Sequence, residues 1–208
     1  MSHEGHSPLS PPAKSLLIVL SGLSGAGKDA VLTGLRESSY PLEFIITVTT
    51  RTKRTNETDG VHYRFVSGNE FRELIDHNKL LEYANVYGNY YGVPKEPVSQ
   101  ALDMGKDVII KCDVQGAATI KRILPQAVFI FLAPSSMEEL VLRLKQRRTE
   151  SPSDLDLRIK TAEAELEQLP LFDYMVINRQ GEIERAVADI EAIIAAEKCR
   201  VKPRELTL

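Results

Sequence analysis

Four short, mostly apolar runs recur along the chain, each bounded by turn-forming residues: 16–20, 107–112, 127–132 and 174–178. A strand covered on one face alternates apolar and polar side chains, whereas one covered on both faces reads as a continuous apolar run. Runs this short and this rich in Val, Ile and Phe predict parallel strands buried on both sides. Between them the period changes. Residues 182–198 place Ile183, Ala186, Val187, Ile190, Ile193 and Ile194 on one stripe, which predicts an amphipathic helix packed on the sheet. Ser135 and Ser136 precede Glu138 and Glu139 in capping-box spacing and predict another helix start. After a Ser151-Pro152-Ser153-Asp154 break, a further helix is predicted through Arg158 to Leu169. Such alternation predicts an α/β fold, a three-layer core with a mostly parallel sheet.

Two stretches depart from the alternation. Residues 44–94 carry β-branched and aromatic runs and close on a Tyr/Gly/Asn-rich segment, which reads as a small inserted lobe, part strand and part helix. Residues 135–168 read as a helical lid, two helices with spaced arginines around a break. The predicted organisation is a tail (1–14), one domain (15–200) and a second tail (201–208). Within the domain the core comprises 15–43, 95–134 and 169–200.

At 208 residues, with 43% hydrophobic and 26% charged positions, the chain suits one globular domain with insertions. A net charge of −3 argues against a nucleic-acid coat or a polybasic membrane surface. Cys112 and Cys199 are far apart and form neither a disulfide framework nor a zinc pattern. Residues 1–14 are Ser-, Pro- and His-rich without an apolar centre, so a disordered tail is expected rather than a signal peptide. No segment approaches the ~20 apolar residues of a membrane span. These features predict a cytoplasmic protein with no membrane or nucleic-acid partner.

The most specific chemistry follows the first apolar run. Gly22, four residues, then Gly27-Lys28 spell a phosphate-binding P-loop, with Asp29 where Ser or Thr usually stands. Gly22, Gly25 and Gly27 allow a tight turn whose N–H groups point at phosphate oxygens, and a helix starting near Lys28 aims its positive end at the same place. Lys28 adds a full charge. Arg147 and Arg158 on the lid can close over a triphosphate, or can be solvated charges on a helix face. Arg51 and Arg54, flanking a turn, can grip one phosphate from two sides. A buried carboxylate such as Glu82 can accept two hydrogen bonds from a donor pair like guanine N1–H and N2–H. For Tyr63 and Tyr91, spacing alone favours core packing over phosphate contact.

Taken together these residues resemble the guanylate kinase family, from Leu16 to about Arg200. The motifs are Ser-Gly-x-Ser-Gly-Ala-Gly-Lys at 21–28, Thr-Thr-Arg-Thr-x-Arg at 49–54, and Glu57 with Gly60 and Tyr63. They continue with Leu-Glu-Tyr-Ala at 81–84, Gly-Asn-Tyr-Tyr-Gly at 88–92, Asp-Val-Gln-Gly at 113–116, the arginines 143, 147 and 158, and Val-Ile-Asn at 176–178. The resemblance implies a P-loop core with a nucleoside-monophosphate lobe and a lid, and transfer of a phosphoryl group from ATP to GMP with Mg²⁺. It implies that Gly22, Leu23, Ser24, Gly25, Ala26, Gly27, Lys28, Asp29, Arg143 and Asn178 serve ATP. It implies that Arg51, Arg54, Tyr63 and Tyr91 grip the GMP phosphate, that Thr47 and Glu82 read guanine with Asp113 at the same nucleotide site, and that Glu57 belongs to the substrate-binding set. Lys28, Arg54, Arg147 and Arg158 are the expected stabilisers of the migrating group, and Asp29 the expected metal contact, direct or through water.

Four features depart from that family's pattern: Asp29, Lys111 in place of an acidic residue, Val93 in place of a small hydroxyl residue, and Lys53 with Asn56 in the turn before Glu57. Asp29 also occurs in the related ribose 1,5-bisphosphate kinases, which therefore stand as an alternative. Arg54 and the Glu82/Tyr91 pair favour a nucleotide instead. A non-catalytic guanylate-kinase-like module that binds protein ligands is a third reading, set against the retained Lys28, glycines and lid arginines.

Overall fold

The computed structural model describes residues 14–55, 57–146 and 152–206, and every side chain among these outside 152–155. Nine strands occur among the described residues: β1 (Leu17–Gly22), β2 (Leu42–Phe44), β3 (Val48–Thr49), β4 (Arg64–Phe65), β5 (Leu80–Val86), β6 (Asn89–Pro94), β7 (Asp107–Lys111), β8 (Val128–Ala133) and β9 (Tyr174–Ile177). Seven α-helices accompany them: α1 (Lys28–Glu37), α2 (Gly68–Asp76), α3 (Lys95–Asp103), α4 (Val114–Ile123), α5 (Met137–Gln146), α6 (Pro152–Leu166) and α7 (Ile183–Lys198).

The main sheet has the order β2-β7-β1-β8-β9 and is parallel throughout. All four runs expected as strands lie in it, and β2 adds an edge strand that the apolar pattern is too short to reveal. The reason for the continuous runs is visible in β1. Ile18 and Leu20 face a cluster with α1, α5 and α7, while Leu17 and Val19 face a second cluster with α3 and α4. Each β1 residue is thus buried whichever way it points, and each such aliphatic side chain contributes roughly 1.5–3 kcal/mol.

The inserted lobe is a four-stranded sheet, β4-β3-β6-β5, with Phe71 of α2 packed on Val48 and Leu80. Ser67 and Glu70 form a reciprocal capping box that starts α2. β5 and β6 make a hairpin whose tip residues Tyr87 (φ 50) and Gly88 (φ 78) both have positive φ, as a two-residue primed turn requires.

The capping box expected before α5 forms in a shifted version. Ser136 Oγ accepts from Glu139 N (3.2 Å), and the Glu139 carboxylate accepts from Ser135 N (3.1 Å) rather than from the capping residue itself. α6 begins at Pro152, earlier than expected, because a proline's fixed φ and missing N–H suit the first helical position. It ends at Leu166, and Pro170 then sits in a 3₁₀ turn, Leu169–Leu171. Residues 1–13 of the expected tail 1–14, and Arg147, lie outside the described residues.

Gly22 joins core and loop. Its φ is +132°, and a Cβ there would lie 2.0 Å from the backbone oxygen of Leu132 on β8. The parallel pairing of β1 with β8 brings the two backbones together here, so no side chain fits. Gly22→Ala is expected to destabilise the fold by about 3 kcal/mol or more, through strained φ and a backbone clash. Chemical denaturation with an unchanged m-value and a lower midpoint would register it; an unaltered midpoint would contradict this account.

Candidate active site

The loop after β1 ends at Gly27, which caps α1 with φ 93°. Lys28, the first residue of α1, folds back so that Nζ donates to the Gly22 (2.7 Å) and Leu23 (3.2 Å) carbonyls. Burial lowers the pKa of this ammonium, while the carboxylates of Glu165, Asp29 and Asp113 work in the opposite direction. The loop is stapled from behind at the Ala26 carbonyl, which accepts from Arg143 Nη1 (3.0 Å) and Asn178 Nδ2 (2.8 Å). Arg143 also donates to the Asn178 carbonyl (2.6 Å) and pairs with Glu139 on its own helix.

The inserted sheet provides the facing wall. Arg51, just beyond β3, donates through Nε to Tyr91 Oη (3.1 Å) and through Nη2 to Glu57 Oε1 (2.6 Å). The other Glu57 oxygen accepts from Arg54 N (2.8 Å), so one carboxylate ties both arginines to the turn between them. Burial acts to raise the Glu57 pKa, but the hydrogen bonds from Arg51 and from the Arg54 N–H outweigh it and hold the carboxyl below its usual range. The Arg51 guanidinium also lies 5.4 Å from the Tyr63 ring centroid.

Glu82 occupies an inward position of β5, where Leu80, Glu82 and Ala84 are buried and Tyr83 and Asn85 exposed. It is 4% exposed, and its Oε2 has no hydrogen-bond partner. Burial, and secondarily the Asp113 charge, push its pKa up to about 8. A Cβ on Gly116 would come within 2.5 Å of that oxygen, so the bare glycine leaves the carboxylate its place. Buried polar atoms without partners are rare in folded proteins, and this one, opening on the cleft, is available to a ligand or an ordered water. Beside it, Thr47 Oγ1 donates to the Lys111 carbonyl (3.0 Å), and Asp113 caps α4 by accepting from Gln115 N and Gly116 N.

Both walls line one cleft, with Lys28 and Arg158 on one side and Arg51, Arg54, Glu82 and Tyr91 on the other. A phosphate loop facing an arginine pair can hold two phosphorylated molecules end to end, with positive charge where a phosphoryl group would pass. The sequence profile of the family described as guanylate kinase matches residues 14–197. The chain belongs to the guanylate kinase family.

Among its relatives, guanylate kinase 2, chloroplastic/mitochondrial, of Oryza sativa subsp. japonica is 44% identical over 97% of this chain and 71% of its own length. The guanylate kinase of Caldanaerobacter subterraneus subsp. tengcongensis is 47% identical over 90% of each chain. The crystal structure of guanylate kinase from Anaplasma phagocytophilum superposes with a TM-score of 0.72 at 29% identity, covering 91% of this chain and 89% of that one.

Within this guanylate kinase fold the expected residues divide by position. Gly22, Leu23, Ala26, Glu57, Arg143 and Asn178 do not line the cleft; the contacts above make them parts of the frame that shapes the loop and holds the arginines. Arg147 lies outside the described residues. All the other expected residues line the cleft.

Five lining residues, Val86, Tyr87, Lys111, Cys112 and Glu165, were not among the expected site residues. Glu165 on α6 accepts from the P-loop N–H of Ser24 (3.0 Å) and faces Lys28. Arg158, Ala162 and Glu165, spaced four and three apart, share one helix face, and that spacing is the signal that could have found it. Tyr87, at the β5–β6 tip, sets its ring 5.1 Å from the Arg158 guanidinium, so the inserted sheet touches α6. No local pattern announces that contact.

Glu82 makes stability depend on pH. Its folded pKa of about 8 lies above the reference 4.5, so the folded state holds a proton that the unfolded state has released between those values. Stability should therefore fall as pH rises from 4.5 through about 8, by up to about 1.4 kcal/mol per pH unit, with no effect below the lower value. Urea melts of the unliganded protein and of Glu82→Gln across this range check it: the variant should lose the slope, and parallel curves would refute the assignment.

Proposed function

We propose that this chain is an ATP:GMP phosphotransferase that makes ADP and GDP by in-line phosphoryl transfer. The observation that carries the reading is the shared cleft: the Lys28 loop and the Arg51/Arg54/Glu82 wall open on the same space. ATP would lie with its phosphates on the Gly22–Lys28 loop, and GMP on the inserted sheet. Arg51, Arg54, Tyr63 and Tyr91 would hold the GMP phosphate, and Glu82 would accept from guanine N1–H and N2–H. Lys28, Arg54 and Arg158 would carry charge to the migrating group, with Arg147 proposed on resemblance alone. A phosphate monoester is largely dianionic at neutral pH, with a second pKa of about 6, so no general base is required.

The donor set suits magnesium. Among the described residues no cluster of three or more His, Cys, Asp or Glu side chains could hold a metal. Mg²⁺ is held through one or two carboxylates together with phosphates and water. Asp29, half-exposed in the cleft beside Lys28, is the carboxylate that would contribute, directly or through water. When bound, the ion would supply charge neutralisation on the β- and γ-phosphate oxygens.

The alternatives have less to support them. A sugar bisphosphate has no paired N–H donors like those of guanine for the buried carboxylate of Glu82, and a protein-binding module has no use for a Lys28 ammonium held in a phosphate loop. Cytoplasmic purine nucleotide metabolism is the setting this reading implies. No helix among the described residues is long and apolar enough to cross a membrane.

A coupled assay across GMP, dGMP, AMP, UMP and ribose 1,5-bisphosphate should give turnover with GMP; turnover on the sugar phosphate and none on GMP would overturn the proposal. Glu82→Gln should lower kcat/KM for GMP by about a hundredfold while leaving ATP binding nearly unchanged, since it weakens two charge-assisted hydrogen bonds. With Glu82 protonated near neutrality, GMP binding should release a proton. Calorimetry in buffers of different ionisation enthalpy would detect the release in the native protein and its loss in Glu82→Gln. Equal proton release in both would count against Glu82 as the base-reading group.

A further inference from the structure

Two departures from the family pattern, 82 positions apart, meet in the fold. Lys111 closes β7, is 7% exposed, and forms an ion pair with Asp29 in the first turn of α1. Its ammonium also lies 3.7 Å from the Tyr63 ring centroid, over a face that attracts cations. Lys111 and Asp29 both line the cleft, immediately beside Lys28.

An acidic side chain at this place works against the loop. The α1 N-terminus and Lys28 attract phosphate, whereas a carboxylate one residue on repels it. Conversely, an ammonium as buried as that of Lys111 needs an anion beside it. Each residue answers the other's charge, and the Tyr63 ring helps to keep the ammonium in place. Resting on the kinase reading above, we propose that Lys111 is a positioning residue for the ATP phosphates. By neutralising and fixing Asp29, it lets an acidic P-loop accept a triphosphate without a metal ion first cancelling that carboxylate. The specificity of the arrangement lies in the pair rather than in either residue.

Binding of ATP in EDTA, measured by equilibrium dialysis on the full chain, isolates the effect from turnover. Lys111→Met should weaken metal-free ATP binding by about tenfold or more, the loss expected when one member of a buried charge pair is left alone and the other is half-exposed. Adding Asp29→Ser to that variant should restore affinity to within about threefold of the native chain, because the repelling carboxylate is gone. Lys111→Arg should keep both the pair and the affinity. Supplying Mg²⁺ should narrow the Lys111→Met deficit. Circular-dichroism melts establish that the variants are folded, and Lys111→Gln replaces Lys111→Met if the latter is not. Native affinity in Lys111→Met would overturn the proposal. So would a double variant as weak as the single, which would mean that Lys111 acts by touching phosphate or by holding the fold. A native chain that binds ATP only with Mg²⁺ present would overturn it as well. A native chain that binds no ATP even with Mg²⁺ would instead sink the kinase reading itself.

Discussion

The ammonium of Lys28 sets the electrostatics of the cleft. Enclosed by its own loop, it is met by the carbonyls of Gly22 and Leu23 and by the charges of Glu165, Asp29 and Asp113. A cation partly withdrawn from water is stabilised where such partners surround it. Each partner belongs to a different part of the chain: the lid helix, the first helix and the turn after β7. The need to compensate one charge therefore brings together the segments that must converge for phosphoryl transfer. It also makes the cleft a place where a triphosphate enters by exchange, since its oxygens must take over hydrogen bonds that carbonyls and Glu165 now satisfy.

The opposite wall is built on the same logic with the signs reversed. Glu57 is the anion that spaces two arginines, leaving their guanidinium edges toward the cleft. Through these bonds the Glu57 carboxylate holds the two arginines in register with each other. Glu82 is the exception, a carboxylate with one oxygen left without a protein partner. Its environment keeps it near protonation, and a donor pair of the right shape would favour the charged form.

Much of this was legible in the residues. The four apolar runs became β1, β7, β8 and β9, and the α7 stripe became the buried face carrying Ala186, Val187, Ile190 and Ile194. The P-loop announced itself because its glycines and lysine are adjacent in sequence, and local spacing reports local geometry. β2 went unseen because three residues carry too little pattern. Glu165 and Tyr87 went unseen for another reason: each acquires its meaning from a partner more than seventy residues away, Ser24 for one and Arg158 for the other.

The four buried strands, the α7 stripe, the phosphate loop and the family resemblance all rest on short-range periodicity and contiguous motifs. Which charges meet is set only when the chain folds. Asp29 and Lys111 read as two unrelated departures in one dimension, yet the fold makes them one ion pair beneath Tyr63. Glu57, three residues past Arg54 in sequence, holds both Arg51 and Arg54 N in the fold. The physical reason is common to both: a charge acts over a few ångströms of space, and only folding sets which residues lie within that distance.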